Sequence, residues 1–357
     1  TITPSALTLS SGLTSNYTIT YATGTLTVSA AALTVTASAQ SKTFGGTAPT
    51  SGTLNTNFTV SGLLNTDAAS GVTLAYSGTP AGNTATAAVG TYTITPSALT
   101  LSSGSASNYT ITYSTGTLTV NAAALTVTAS AQSKTYGATA PTSGTLNTNF
   151  TVSGLQGTDA ASGATLSYSG TPAGNTATAA VGSYTITPSA LTLSSGLTSN
   201  YSISYVTGTL TVGTATLTIT GVTANNKTYD GTTTATLSGT ATYSGLQNGE
   251  SFSVTGTPSA SFANANVGTG KTVTVSGYTA PSANYTVTQP TGLTANITAK
   301  ALTITAPTIA SKSYDGSATS GAVTVGTLSG FVGTETVTAT AVGTYADANV
   351  GTGKTAT

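Results

Sequence analysis

Along most of this chain, apolar and hydroxyl side chains alternate one for one. Tyr109, Ile111 and Tyr113 alternate with Thr110 and Thr112, Leu118 and Val120 flank Thr119, and Leu125 and Val127 flank Thr126. A period of two puts the apolar residues on one face of an extended segment and the Thr residues on the other. The pattern predicts half-buried antiparallel strands with the Thr face outward. Clusters of Gly, Asn, Ser and Pro separate the runs and read as turns, such as Ser102-Ser103-Gly104 and Thr171-Pro172-Ala173-Gly174-Asn175. One helix candidate recurs, at Thr66-Asp67-Ala68-Ala69-Ser70 and Thr158-Asp159-Ala160-Ala161-Ser162. Each places a capping residue before Ala and lasts about one turn before a Gly ends it. No apolar run is long enough to span a membrane.

The pattern is itself repeated. The string TITPSALTLSSG starts at Thr1, Thr93 and Thr185, a period of 92 residues. LTVTASAQSKT starts at Leu33 and Leu125, and LTIT at Leu217 and again 85 residues on, at Leu302. The repeat type changes as the period shortens. The first type carries Lys42-Thr43-Phe44-Gly45 and Lys134-Thr135-Tyr136-Gly137. The second carries Lys227-Thr228-Tyr229-Asp230-Gly231 and Lys312-Ser313-Tyr314-Asp315-Gly316. The expected division is 1–29 (the end of a first-type repeat), 30–121 and 122–212 (first type), 213–298 (second type) and 299–357 (second type, truncated). Only Asn121, Ala122, Ala123 and Ala124 separate Leu118-Thr119-Val120 from Leu125-Thr126-Val127. A flexible tether would be longer and richer in Gly and Ser. The expectation is a stiff, nearly strand-to-strand joint and a rod of domains in series. The absence of Met leads to the expectation of an internal piece of a longer product. Both ends stand in the same phase, which suits a window cut from a long array. It also suits strand exchange, with residues 1–29 completing the truncated domain of a neighbouring subunit.

Composition narrows the chemistry. Among 357 residues there are seven Lys, seven Asp or Glu, and no Arg, His, Cys, Met or Trp, while Thr fills 88 positions. Without His and Cys there is no Ser-His-Asp or Cys-His nucleophile, no structural zinc site and no disulfide framework. A net charge of zero offers no electrostatic footprint for nucleic acid.

At SKTYG followed by SNYTITYxTGTLTV, the sequence resembles the Mub B2-like repeats, the MBG domains of the YGX type. KTYDG, followed by NVGTGKTVTVSG and SANYTV, resembles the companion YDG repeats. Both occur in tandem in very long bacterial surface and secreted proteins, including filamentous-haemagglutinin-like exoproteins. The resemblance covers essentially the whole chain. It implies a mainly β, β-grasp-like or β-sandwich-like module, a role in adhesion or a surface fibre, and no catalytic residues.

Gly268-Thr269-Gly270-Lys271-Thr272 and Gly351-Thr352-Gly353-Lys354-Thr355 lack the earlier Gly of a phosphate loop, having Ala265 and Ala348 there, and precede strand patterns. Asp347-Ala348-Asn349-Val350-Gly351 opens like a calcium loop. Its counterpart, Asn264, Asn266 and Gly268, has no carboxylate, so a turn is the better reading. Asp230 and Asp315 fit Asp-Gly turns. Lys42 and Lys134, with Asp67, Asp159 and abundant Asn (Asn57, Asn65, Asn83), raise an isopeptide cross-link, against the simpler reading of solvated Lys and helix-capping Asp. Glycosylation sequons stand at Asn16, Asn57, Asn108, Asn149, Asn200, Asn226, Asn284 and Asn296. Tyr109, Tyr113, Tyr201 and Tyr205 fall on the apolar phase, which points to core or interdomain packing rather than sugar stacking.

The chain therefore reads as a mainly β, non-enzymatic, extracellular segment of a bacterial fibre or adhesin stalk, with no cofactor, no metal and no membrane insertion. The alternatives are a self-assembling filament subunit and a glycan- or mucin-binding module. Neighbouring copies of the chain are the expected partners, through lateral or end-to-end packing, and host or environmental glycans are the second class.

Overall fold

The computed structural model describes all 357 residues, and two compact units divide them. The first unit holds residues 1–132, 141–169 and 185–209, and the second holds the remainder.

In the first unit, residues 31–121 form two sheets from eight strands: β1 (Ala31–Ala37), β2 (Gln40–Thr43), β3 (Ser51–Gly52), β4 (Phe58–Ser61), β5 (Ala68–Tyr76), β6 (Gly90–Ser103), β7 (Tyr109–Ser114) and β8 (Gly116–Asn121). One sheet has the order β4-β1-β7 and the other β2-β8-β6-β5-β3. The period of two shows directly in burial. Leu33, Val35 and Ala37 of β1 are buried and Thr34 and Thr36 are not. Leu33, Val35 and Phe58 of the small sheet share one apolar cluster with Leu74, Ile94 and Leu118 of the large one. The core thus lies between the two inner faces, as in a sandwich. The 123–206 stretch repeats the small sheet, with Ala123–Ala129 between Phe150–Ser153 and Tyr201–Val206.

The sheets are mixed rather than purely antiparallel. β1 runs parallel to β7, from Ala31↔Tyr109 to Thr36↔Ser114, and β2 runs parallel to β8. A parallel pair needs a long crossover, here most of the repeat, and a local alternation pattern carries no sign of it. The helix candidates are overturned. Ala68–Tyr76 and Ala160–Tyr168 are nine-residue strands, with Ala69 and Ala161 buried. Burial of the alternate face outweighs the helix propensity of two Ala residues. The short 3-10 turns lie instead at Thr14–Asn16, Ala106–Asn108 and Thr198–Asn200, and the latter two lead directly into the strands that start at Tyr109 and Tyr201.

The TITPSALTLSSG string hides a β-bulge. Ile94 and Pro96 are buried on the even phase, yet Leu99 is buried on the odd one. Register shifts against β5 between Gly71 and Thr73, and Ala98 sits at φ 50°. An extra residue moves the following side chains to the other face. Ala190 repeats the strain at φ 47°. A left-handed L-residue costs roughly 1–2 kcal/mol, and Gly is free of that cost but loses more entropy on folding. Ala98→Gly is therefore expected to stabilise the repeat by roughly 0.5–1 kcal/mol. An upward shift of the thermal midpoint checks it.

In the second unit, residues 215–298 reproduce the same topology from different sequence. Ala215–Thr220 lies between Thr242–Ser244 and Tyr285–Thr288. A five-stranded sheet runs Lys227–Thr228, Thr294–Thr298, Gly268–Thr279, Thr255–Phe262, Thr234–Ala235. Its core is Phe262, Val273, Val275, Tyr278 and Ile297. The two parallel pairs recur, Ala215↔Tyr285 and Lys227↔Ile297. Residues 299–357 carry two-stranded pairs and isolated bridges, with Ile304 and Val342 exposed. Residues 1–29 carry one bridge, Ile2↔Gly24, and exposed Leu13 and Val28.

The nearly strand-to-strand spacing expected at the joints is present. Ala122 alone lies between β8 and Ala123–Ala129, and Thr214 alone between Gly208–Gly213 and Ala215–Thr220.

Candidate functional site: the joints between repeats

Each of the seven carboxylates has a hydrogen-bond partner, and the partners fall into two groups. Three serve the second repeat type locally. Asp230 accepts from Lys227 Nζ at 2.6 Å and Asp315 from Lys312 Nζ at 2.9 Å, while Asp347 is bonded to Lys354. These carboxylates also close turns: Asp230 accepts from the Thr232 N–H and Asp347 from that of Asn349, at 2.9 and 2.8 Å. The turn readings of these motifs hold, and the ion pair is what the sequence did not show. Lys227 and the Thr232 amide hold the Asp230 carboxyl down at about 2.

The Lys of the first repeat type has no such acid. Lys42 Nζ donates to the carbonyls of Gly46 and Thr84, at 2.9 and 2.6 Å, and Lys134 repeats this with Ala138 and Thr176 at 3.0 and 2.7 Å. Lys42 is buried rather than solvated, and burial lowers the pKa of both amines. These ammonium groups meet backbone carbonyls, not the Asn and acid that an isopeptide bond requires. The Gly268–Thr279 segment is a strand, as its Thr-Val pattern predicts.

The other four acids, Asp67, Asp159, Glu250 and Glu335, all accept a hydrogen bond from a Tyr hydroxyl. In the 122–212 repeat, Tyr201 Oη donates to Asp159 Oδ2 at 2.6 Å and accepts from the Gln156 N–H at 3.0 Å. Its ring stands edge-on to Phe44 of the preceding repeat, with centroids 5.5 Å apart. Beside it, Asn200 Oδ1 accepts the Val89 N–H across the joint at 3.0 Å. Gly45, at φ 87°, ends the aromatic turn, and a side chain there would collide with Gln156.

The next joint, wholly inside the second unit, is built alike. Tyr285 stands edge-on to Tyr136 at 5.4 Å and accepts the Gln247 N–H at 2.9 Å, and Asn284 Oδ1 accepts the Val181 N–H at 3.0 Å. Here the acid receives two hydroxyls. Tyr136 Oη and Tyr285 Oη each donate to one oxygen of Glu250, both at 2.5 Å. Further on, Tyr229 donates to Glu335. On the leading face of the 30–121 repeat, Tyr109 donates to Asp67 at 2.6 Å.

So Asp67 and Asp159 cap no helix; they anchor Tyr residues 42 positions away. Tyr109, Tyr201 and Tyr285 are buried, as interdomain packing predicts, whereas Tyr113 and Tyr205 are 36% and 38% exposed. The Asn200 and Asn284 sequons are engaged in joints, while Asn108 and Asn16 are exposed. The recurrence of an acid at Asp67, Asp159, Glu250 and Glu335 was the available signal for this site.

Burial, then the Glu250 bond, pushes the Tyr285 hydroxyl up to about 12, and the other joint Tyr hydroxyls move in the same direction. A raised folded pKa gives stability that is complete below the unfolded value and lost as pH rises through the folded one. Stability is therefore expected to hold up to about pH 10 and to fall between 10 and 12. Thermal midpoints measured across that window check it. A midpoint insensitive to alkali until above 12 contradicts it.

The MBG domain (YGX type) family matches residues 33–119 and 125–211, and the YDG domain family matches 213–292 and 298–357. No curated protein matches the chain. Among solved structures, the chain aligns with a three-immunoglobulin-domain titin structure, an E-to-A mutated variant, at 10% identity. That alignment covers 73% of this chain and 98% of that one, with a TM-score of 0.18.

Proposed function

Because the chain belongs to the MBG (YGX type) and YDG domain families, we propose that it is a structural and adhesive segment of a long bacterial extracellular fibre or adhesin stalk. Domains of these families are typical of surface adhesin-like repeat proteins and are non-enzymatic. The observation that carries the reading is where the charge goes. Three of seven acids sit at repeat-to-repeat contacts, Asp67 holds the equivalent place in the 30–121 repeat, and three lie in ion pairs beside turns. The chain's scarce ionisable chemistry supports structure and joints. No helix is long and apolar enough to cross a membrane.

An antibody raised against residues 122–298 tests location and role. It is expected to label intact cells that make the parent protein. Labelling only after permeabilisation overturns the reading. Neighbouring copies are the proposed partners, through uncharged Thr-faced strands, so association is expected to persist at moderate salt. Dissociation there, seen by light scattering, counts against it.

A glycan-binding role is the second reading. A groove of about 640 Å³ beside Tyr243, Phe252, Pro258 and Tyr278 supports it, with Phe252 39% exposed. Glycan-array binding abolished by Phe252→Ala is its expected result, and an array without hits removes it.

A further inference from the structure

We propose that the acid on the leading face of each repeat selects the aromatic residue in the turn of the repeat before it: Asp accepts Phe, and Glu accepts Tyr. At the first complete joint Phe44 faces a repeat whose acid is Asp159, and that carboxylate takes one hydroxyl, from Tyr201. At the next, Tyr136 faces a repeat whose acid is Glu250, and the carboxylate takes two, one on each oxygen. At the third, Tyr229 donates to Glu335. The longer Glu side chain carries its carboxylate one methylene further from its own backbone, far enough to accept from the neighbour's hydroxyl as well as its own.

Mismatches are penalised from both sides. A Tyr placed opposite Asp buries a hydroxyl whose natural acceptor stops short. A Glu placed opposite Phe buries a carboxylate oxygen that has lost its donor. Either group then bears its desolvation without a partner. A matched change of both residues leaves every polar atom satisfied. The remaining joint contacts, the edge-on rings, the Asn-to-amide bond and the Gly turn, are common to the first two joints and carry no such choice. This selection acts between repeats of one chain and holds wherever the protein works. It makes the order of repeats a property of two side chains per joint.

Hydrogen exchange on the full chain tests the proposal. The Val181 and Gln247 amides report the Glu250 joint, and the Val89 and Gln156 amides report the Asp159 joint. Tyr136→Phe and Glu250→Asp are each expected to speed exchange at Val181 and Gln247 by about tenfold, the loss of one charge-assisted hydrogen bond. Val89 and Gln156 are expected to be unmoved. The double variant Y136F/E250D is expected to return the rates most of the way, because it rebuilds the Phe–Asp pairing of the other joint. Conversely, Phe44→Tyr is expected to speed Val89 and Gln156, and adding Asp159→Glu to slow them again. Amides within Ala215–Thr220 distinguish joint opening from unfolding of the repeat. If they speed in step with Val181, the Phe44 and Asp159 variants decide the outcome. Multiplicative effects in the double variants, or no effect in the singles, overturn the proposal.

Discussion

Phe150→Ala is expected to destabilise its repeat by about 3–5 kcal/mol, the usual cost of removing a buried ring. Phe150 is fully buried, in the same cluster as Leu125, Val127 and Ala164. Its strand is only four residues long, pairing Phe150 with Ala129 at one end and Ser153 with Thr126 at the other. Gly144 is shaped around the ring, since a Cβ there would stand 2.8 Å from it. Few other large side chains are available to close the cavity, because the strand faces are filled by Ala, Val, Leu and Thr. A domain of this size is stable by about 5–15 kcal/mol, so the substitution removes a large part of the total. Urea unfolding followed by far-ultraviolet circular dichroism checks it. A lower midpoint at unchanged slope is expected for that transition. An unmoved midpoint would falsify this account of the core. Phe58, equally buried in the preceding copy, is expected to behave alike.

Tyr201→Ala is expected to act on two repeats at once. It removes the ring that meets Phe44, and it leaves the Gln156 amide and the Asp159 carboxylate without their shared partner. Loss of the ring alone is worth about 3–5 kcal/mol. Tyr201→Phe keeps the ring and loses only the hydroxyl, for about 1–3 kcal/mol. In an array whose stability is a sum of repeat and interface terms, cutting an interface uncouples the neighbours. Calorimetry is expected to show the 30–121 and 122–212 repeats melting together in the unaltered chain and in separate transitions in Tyr201→Ala. A single unshifted transition would mean that the joint carries little energy.

Much of the strand content was legible, because alternation over Leu33–Ala37 or Leu125–Ala129 has one physical meaning. The repeats and the taut connection at Ala122 were legible for the same reason, being local. Other features were not. The roles of Asp67 and Asp159 depend on hydroxyls 42 residues away, so nearby Ala residues made them look like helix caps. Lys42 was read as solvated because its carbonyl partner at Thr84 lies across the repeat. The parallel pairs join the two ends of a repeat, and nothing in either strand marks its neighbour. The bulge at Ala98 was hidden because Ala gives no sign of positive φ, as Gly or Asn would. The joints were half legible. Tyr109 and Tyr201 could be assigned to packing from their phase, but the acid each one holds could not.

The parallel pairs also bear on how the chain answers tension. The chain enters the 30–121 repeat through β1 and leaves it through β8. Each of these strands runs alongside a parallel neighbour, β7 and β2. A pull directed along the axes of β1 and β8 would drag each terminal strand lengthwise along its neighbour. The rungs of the ladder are then loaded together in shear and cannot open one at a time. Ala122 alone separates β8 from the next strand, so force passes into the following repeat with no slack to take up.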